Sequence, residues 1–152
     1  MAKRRIMTGD AECLYKVCRK VDNFDKRLAV LLDDMAETMY DAEGVGLAAP
    51  QVGILKRAVV IVELINPEIL ETSGEQGGYE GCLSFPGESG YVVRPNHVRV
   101  RAMNRFGEEC EYEGEGLFAR AILHETDHLN GLVYKRLVTE APEGYDENEE
   151  DE

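Results

Sequence analysis

The chain has 152 residues, 43% of them hydrophobic and 31% charged, a composition that suits one globular domain and excludes a disordered or membrane-spanning chain. Its formal charge of −13 is uneven: residues 140–152 carry eight acidic side chains and no Lys or Arg, and outside them 22 acidic residues face 17 basic ones. The four cysteines, Cys13, Cys18, Cys82 and Cys110, form no disulfide-framework pattern, so a reduced cytoplasmic setting is expected.

The start, Met1 to Arg5, is basic, but no apolar run follows it, so no secretory signal is expected. Residues 11–20 read as a short helix with Cys13 and Leu14 or Val17 facing inward. Phe24, Leu28, Leu31, Leu32, Met35 and Met39 then recur at helical spacing. They predict an amphipathic helix over residues 25–42, opened by an Asp22-Asn23 cap and ended by Gly44. Its apolar stripe is core packing. The loop GVGLAAPQVG at 44–53 is small and glycine-punctuated, so its backbone can approach a ligand closely. No Lys-Ser or Lys-Thr pair follows, which excludes a phosphate loop.

The β-branched run 58–62 predicts a buried strand, and Leu64-Ile65-Asn66-Pro67 its successor or continuation. The segment Glu80-Gly81-Cys82-Leu83-Ser84 fits no helical pattern. Further strands are predicted at 91–93, at the alternating stretch 98–102, and at 109–113 after a turn at Phe106-Gly107. Gly116 opens a last helix over 117–130, and Gly131 stops it. Strands in the middle and a helix late imply an α+β domain over residues 1–139. The acidic remainder, 140–152, has no apolar face and is expected to be a disordered tail.

His124-Glu125-Thr126-Asp127-His128 is the most informative stretch. On a helix, positions i and i+4 share a face, so His124 and His128 can hold one metal ion. Glu125 is placed to handle the proton of a metal-activated water. The chain has only three histidines, and the other, His97, lies in no motif and reads as structural or exposed. A third ligand is required, and Cys82 offers a thiolate that would leave a fourth position open. Spacing alone leaves Cys82 equally readable as an ordinary buried thiol. Gln51 has an amide able to donate to a developing oxyanion, although a simple turn is the default for its loop.

Three segments, GVGLAAPQ at 44–51, EGCLS at 80–84 and HETDHLNG at 124–131, resemble in order and spacing the three signature motifs of peptide deformylases. The likeness runs from Asp22 to Val138, through RAVVIV, LINPEI and VRVRAMN. It implies mostly antiparallel β-sheets packed around a central metal-binding helix. It also implies a metal-dependent hydrolase that removes the N-formyl group from the formyl-methionine of nascent polypeptides, releasing formate.

Carried over residue by residue, the resemblance makes Cys82, His124 and His128 the ligands of one divalent metal. Fe²⁺ is expected in the cell, with Zn²⁺, Ni²⁺ or Co²⁺ able to occupy the same donors. Gln51 and the Leu83 backbone N–H would hold the oxyanion, and Glu125 would move the proton. Val45, Gly46, Glu80, Leu117 and Ala121 would contact substrate, Arg94 would pair with Glu80, and Asp127 would orient a liganding histidine. The expected protein is a cytoplasmic monomer acting on formyl-methionyl peptides, with at most transient ribosome contact. Its acidic tail would repel RNA phosphate, so no direct nucleic-acid binding is expected, and no membrane partner either.

Two departures from the family pattern stand out. Val62-Glu63-Leu64 joins two strands almost directly where the family has a hairpin, a shortening of about ten residues that changes the sheet edge. The segment before Asp22 also lacks the family's proline-containing pattern. Two other readings differ in what they require. A general zinc endopeptidase takes its third ligand downstream of the helix, yet no His follows His128. A non-catalytic peptide-binding relative would have no need of Glu125 or Gln51.

Overall fold

A computed structural model describes residues 2–145. Helix α1 spans Lys26–Asp41 and buries Leu28, Leu31, Leu32, Met35 and Met39, the face its sequence period predicts. The cap is Asp25, not Asp22-Asn23: its side chain accepts the Leu28 N–H at 3.1 Å. At the other end Glu43 takes the left-handed conformation, φ 59°. Glu43 and Gly44 donate their N–H groups to Tyr40 and Met39, closing the helix one residue before the glycine expected to stop it.

The predicted helix at 11–20 is replaced by a 3-10 turn, Glu12–Tyr15, followed by extended chain. The reason is competition for hydrogen bonds. Cys18 donates its N–H to Leu129, and Arg19 exchanges backbone bonds with Leu55 and Arg57, so this stretch pairs with distant chain instead of itself. Leu14 is buried as expected, whereas Val17 is exposed.

Among the described residues eight strands follow: β1 (Leu47–Ala48), β2 (Ala58–Val60), β3 (Glu63–Ser73), β4 (Gln76–Gly81), β5 (Ser89–Arg94), β6 (His97–Met103), β7 (Glu109–Glu115) and β8 (Val138–Thr139). Two antiparallel sheets result, ordered β1-β2-β3-β6-β7 and β4-β5-β8. In β6 the alternation is strict: Val98, Val100 and Ala102 point inward, and Arg99 and Arg101 pair outward with Glu71, Glu111 and Glu68. Helix α2 (Leu117–Leu129) sits between the sheets. Its Ala119, Ile122 and Leu129 pack with Val59, Leu64, Val98 and Val100, while its polar face turns to β4 and β5. This is the α+β arrangement of antiparallel sheets around a helix.

The shortened connection forms a tight hairpin. Val60 pairs with Glu63, leaving Ile61 and Val62 as the turn, so residues 64–67 belong to a separate strand and not to a continuation of β2. The Glu63 carboxylate is gripped by Arg105, which also reaches Asp33 on α1, so the turn is tied to the core helix. Strand β4 has no signal in the sequence, because QGGYEG is poor in strand formers. It forms because Gly77 admits the Tyr91 ring: a Cβ there would lie 1.8 Å from the Tyr91 hydroxyl.

Of the acidic tail, residues 146–152 lie outside the described residues. At its described start, Tyr145 sets its ring against Tyr91 at 5.0 Å and Tyr79 at 5.7 Å.

The N-terminal segment is tied to α1 through Asp34, whose carboxylate accepts the Ala2 N–H at 2.8 Å and Arg4 Nε at 3.0 Å. The Ala2 bond holds the carboxyl below its ordinary 3.8, with burial opposing and Arg4 assisting. A depressed folded-state pKa means that this stabilisation is present above the ordinary value and is lost as pH falls through the folded one. Asp34→Asn mimics the protonated carboxyl. It is expected to lower the melting midpoint by about 2–6 °C at pH 7, with the gap to the parent closing as pH drops below that range, read by circular dichroism melts.

Candidate metal centre and catalytic cavity

Helix α2 presents Arg120, His124 and His128 at successive turns of one face, and Cys82 follows the end of β4. His124 Nε2 lies 3.2 Å from His128 Nε2, and Cys82 Sγ lies 3.4 Å from His128 Nε2. One ligand atom from each of the three residues falls within 4.8 Å of the others. Bonds of about 2.0–2.1 Å to nitrogen and 2.3 Å to sulfur at tetrahedral angles would set those edges at roughly 3.4–3.6 Å. The donors therefore stand almost at ligand spacing, and the residues fit a metal ion.

Glu80 anchors the arrangement. Its carboxylate takes Arg94 on both oxygens, at 2.7 and 2.9 Å, Arg120 at 2.7 Å and His124 Nδ1 at 2.5 Å. Burial alone would raise its pKa, but hydrogen bonds from Arg94 and His124 outweigh burial and hold it well below the usual carboxylate range. The ionised carboxylate must accept, so His124 carries its proton on Nδ1 and turns Nε2 toward His128.

The protein's own groups push His124 up to about 10: burial lowers it, and Glu125, Cys82 and Glu80 more than reverse that. This spot draws positive charge, whether a proton or a cation. Burial and the neighbouring His124 press His128 down to about 3, leaving it a neutral donor.

Glu125 is buried, and burial pushes it up to about 7, with His124 opposing. Its Oε1 has no hydrogen-bond partner among the described residues. Gly46 lies against it: a Cβ there would sit 2.9 Å from Glu125 Oε2 and 2.9 Å from Ile61 Cγ1. Gln51 is fully buried on a 3-10 turn, its Oε1 accepting the Ala48 N–H at 2.9 Å and its Nε2 lying 3.4 Å from Cys82 Sγ. These groups open on a cavity of about 430 Å³ whose rim includes the exposed side chains of Val45 and Leu117.

The sequence model of a family described as polypeptide deformylase matches residues 3–142. The chain belongs to this family. It is 58% identical over 147 residues to peptide deformylase 1 of Clostridium acetobutylicum, covering 93% of this chain and 98% of that one. Two solved structures superpose closely. A peptide deformylase from Legionella pneumophila matches with a TM-score of 0.89 and 44% identity over 91% of this chain and 87% of that one. The peptide deformylase from Thermotoga maritima matches with 0.90 and 40% over 92% and 100%. Among the described residues no helix is long and apolar enough to cross a membrane.

The deformylase fold brings Val45, Gly46, Gln51, Glu80, Cys82, Leu83, Leu117, Ala121, His124 and Glu125 to the one cavity, with His128 behind it. Asp127 departs from its expected role. It binds Arg94 at 3.1 Å and Arg136 at 2.9 Å, not a histidine. Consecutive helical residues project about 100° apart, so Asp127 cannot share a face with His128. Glu80 does for His124 what was expected of Asp127, and with both oxygens engaged it has little left for substrate.

His97, as expected, lies away from the site and pairs with Glu113. Sequence reading passed over Arg120, Ser84, Tyr79, Ile61 and Tyr134, the last of which stacks on His124 at 6.1 Å. Only Arg120 had a signal: a basic residue in the otherwise apolar run 117–123, one turn before His124.

Arg94→Met is expected to lower the unfolding free energy by about 3–5 kcal/mol, because it removes the bidentate partner of a buried carboxylate. Arg120→Met should cost less, since the bidentate Arg94 remains. Urea denaturation of the two variants gives the comparison.

Proposed function

We propose that this chain removes the N-formyl group from the formyl-methionine of nascent polypeptides, releasing formate, with one divalent metal held by Cys82, His124 and His128. The observation that carries the reading is the meeting of that donor set with Glu125 and Gln51 at one cavity. When bound, the ion supplies Lewis acidity that brings the pKa of a coordinated water toward neutrality. The donors accept Fe²⁺, Zn²⁺, Ni²⁺ or Co²⁺, and Fe²⁺ is the proposed ion in the cell.

Glu125 takes a proton from the attacking water and returns it to the leaving amine. Its raised pKa and open oxygen serve both directions. Gln51 Nε2 and the Leu83 N–H, which has no partner among the described residues, donate to the oxyanion as the formyl carbon becomes tetrahedral. Gly46 keeps the approach to Glu125 open.

Strands β1 and β4 are the edges of their sheets, and the cavity is bordered by Val45-Gly46 just before β1 and by Tyr79, Glu80 and Gly81 of β4. The substrate backbone lies between them as an added strand along Val45-Gly46 and the residues before Glu80. The methionine side chain enters between Val45, Leu117 and Ala121. The proposed setting is the bacterial cytoplasm, the protein acting as a monomer with transient ribosome contact.

The test is formate release from formyl-Met-Ala-Ser by protein purified without oxygen and reloaded with Fe²⁺ or Ni²⁺. Glu125→Ala is expected to lower turnover by about 10²–10⁴-fold while keeping one equivalent of metal. Cys82→Ala should lose the metal as well. A fully loaded, folded parent without turnover overturns the reading.

A further inference from the structure

Ser84 has no part in the chemistry so far, yet its hydroxyl is wholly buried beside the catalytic amide. Gln51 Nε2 donates to Ser84 Oγ at 3.1 Å. On the other side of the same amide, Gln51 Oε1 accepts the Ala48 N–H at 2.9 Å. That N–H can only donate, so it fixes which end of the amide is oxygen. Of the two protons on Nε2, Ser84 takes one. The other is donated to Cys82 Sγ at 3.4 Å, on the cavity side, a weak bond to sulfur that an oxyanion would replace.

Gln51 and Ser84 stand 33 residues apart in sequence, and their main chains are held in register by the N-terminal segment. Met7 donates its N–H to the Gln51 carbonyl at 2.7 Å, and Gly9 donates to the Ser84 carbonyl at 2.9 Å. One short strap thus spans both halves of the amide clamp.

We propose that Ser84 is a positioning residue for the reaction: its hydroxyl, set by the Met7–Gly9 strap, aims the remaining N–H of Gln51 at the developing oxyanion. This rests on the deformylase reading of the cavity. Ser84 touches neither the ligand atoms of His124 and His128 nor the substrate, so it acts on the rate through Gln51 alone.

A double-mutant cycle tests it, with formate release from formyl-Met-Ala-Ser measured on nickel-loaded protein. Ser84→Ala is expected to lower kcat by about 10–100-fold, with KM and bound nickel unchanged, and Ser84→Thr to recover part of the loss. In a Gln51→Ala background, Ser84→Ala should cost nothing further, because the group it aims is already gone. Equal losses in the two backgrounds, a loss that follows nickel release, or parental kcat in Ser84→Ala each overturn the proposal. Ser84→Gly is read the same way if the alanine variant does not fold.

A second readout does not depend on turnover. In ¹H–¹⁵N spectra, the Gln51 side-chain amide should shift and exchange faster in Ser84→Ala than in the parent. Unchanged amide signals sink the clamp even if the protein proves inactive, whereas an inactive, nickel-loaded parent together with a shifted Gln51 amide in Ser84→Ala sinks only the assigned reaction.

Discussion

A single buried carboxylate holds the site together. Glu80 comes from the edge strand β4, Arg94 from β5, and Arg120 and His124 from α2, so one set of charged hydrogen bonds joins the smaller sheet to the central helix. An isolated carboxylate at this depth would give up its charge, since desolvation costs several kcal/mol. Two guanidiniums and an imidazole make ionisation the favourable state instead. The ionised oxygen then fixes the His124 tautomer and turns Nε2 inward. Stability of the helix–sheet contact and geometry of the donor set are one interaction seen from two sides.

The opposite wall is built by close approach. The loop after α1 passes Glu125 with only hydrogen at Gly46, and the Ile61 side chain from the β2–β3 turn closes the same spot. This explains how a shortened hairpin coexists with an intact cavity: the turn keeps one side chain over the loop, and Arg105 ties its base to α1 through Glu63 and Asp33. The packing buries Glu125 against Gly46, and that burial outweighs the opposing pull of His124, 4.0 Å away, on its pKa. A carboxyl whose pKa is raised toward neutrality is the physical product of that burial.

Legibility in the sequence followed the range of the interactions. Both helices could be read because their apolar periods and terminal signals are local, and β6 because alternation is local too. The caps were less legible. Asp25 and Glu43 displaced the expected Asp22-Asn23 and Gly44 by one to three residues, a matter of which neighbour the last free backbone groups reach. The segment at 11–20 misled because its hydrogen-bond partners, Leu55, Arg57 and Leu129, lie far along the chain. Strand β4 was invisible for a related reason: its glycines lower strand propensity, and one of them, Gly77, makes room for the distant Tyr91 ring.

By itself the sequence determined which chemical groups are present and the local spacing that puts two imidazoles and a carboxylate on one helix, together with three motifs in a recognisable order. These are properties of covalent order and helical period, and they need no partner. Only the tertiary structure decided that Cys82 stands beside His128, that Glu80 and not Asp127 orients His124, and that Arg120 and Ser84 join the site. Each of those outcomes depends on which distant backbone brings a donor within hydrogen-bond reach of an acceptor. That is set by how the two sheets close on α2, and no local pattern encodes it.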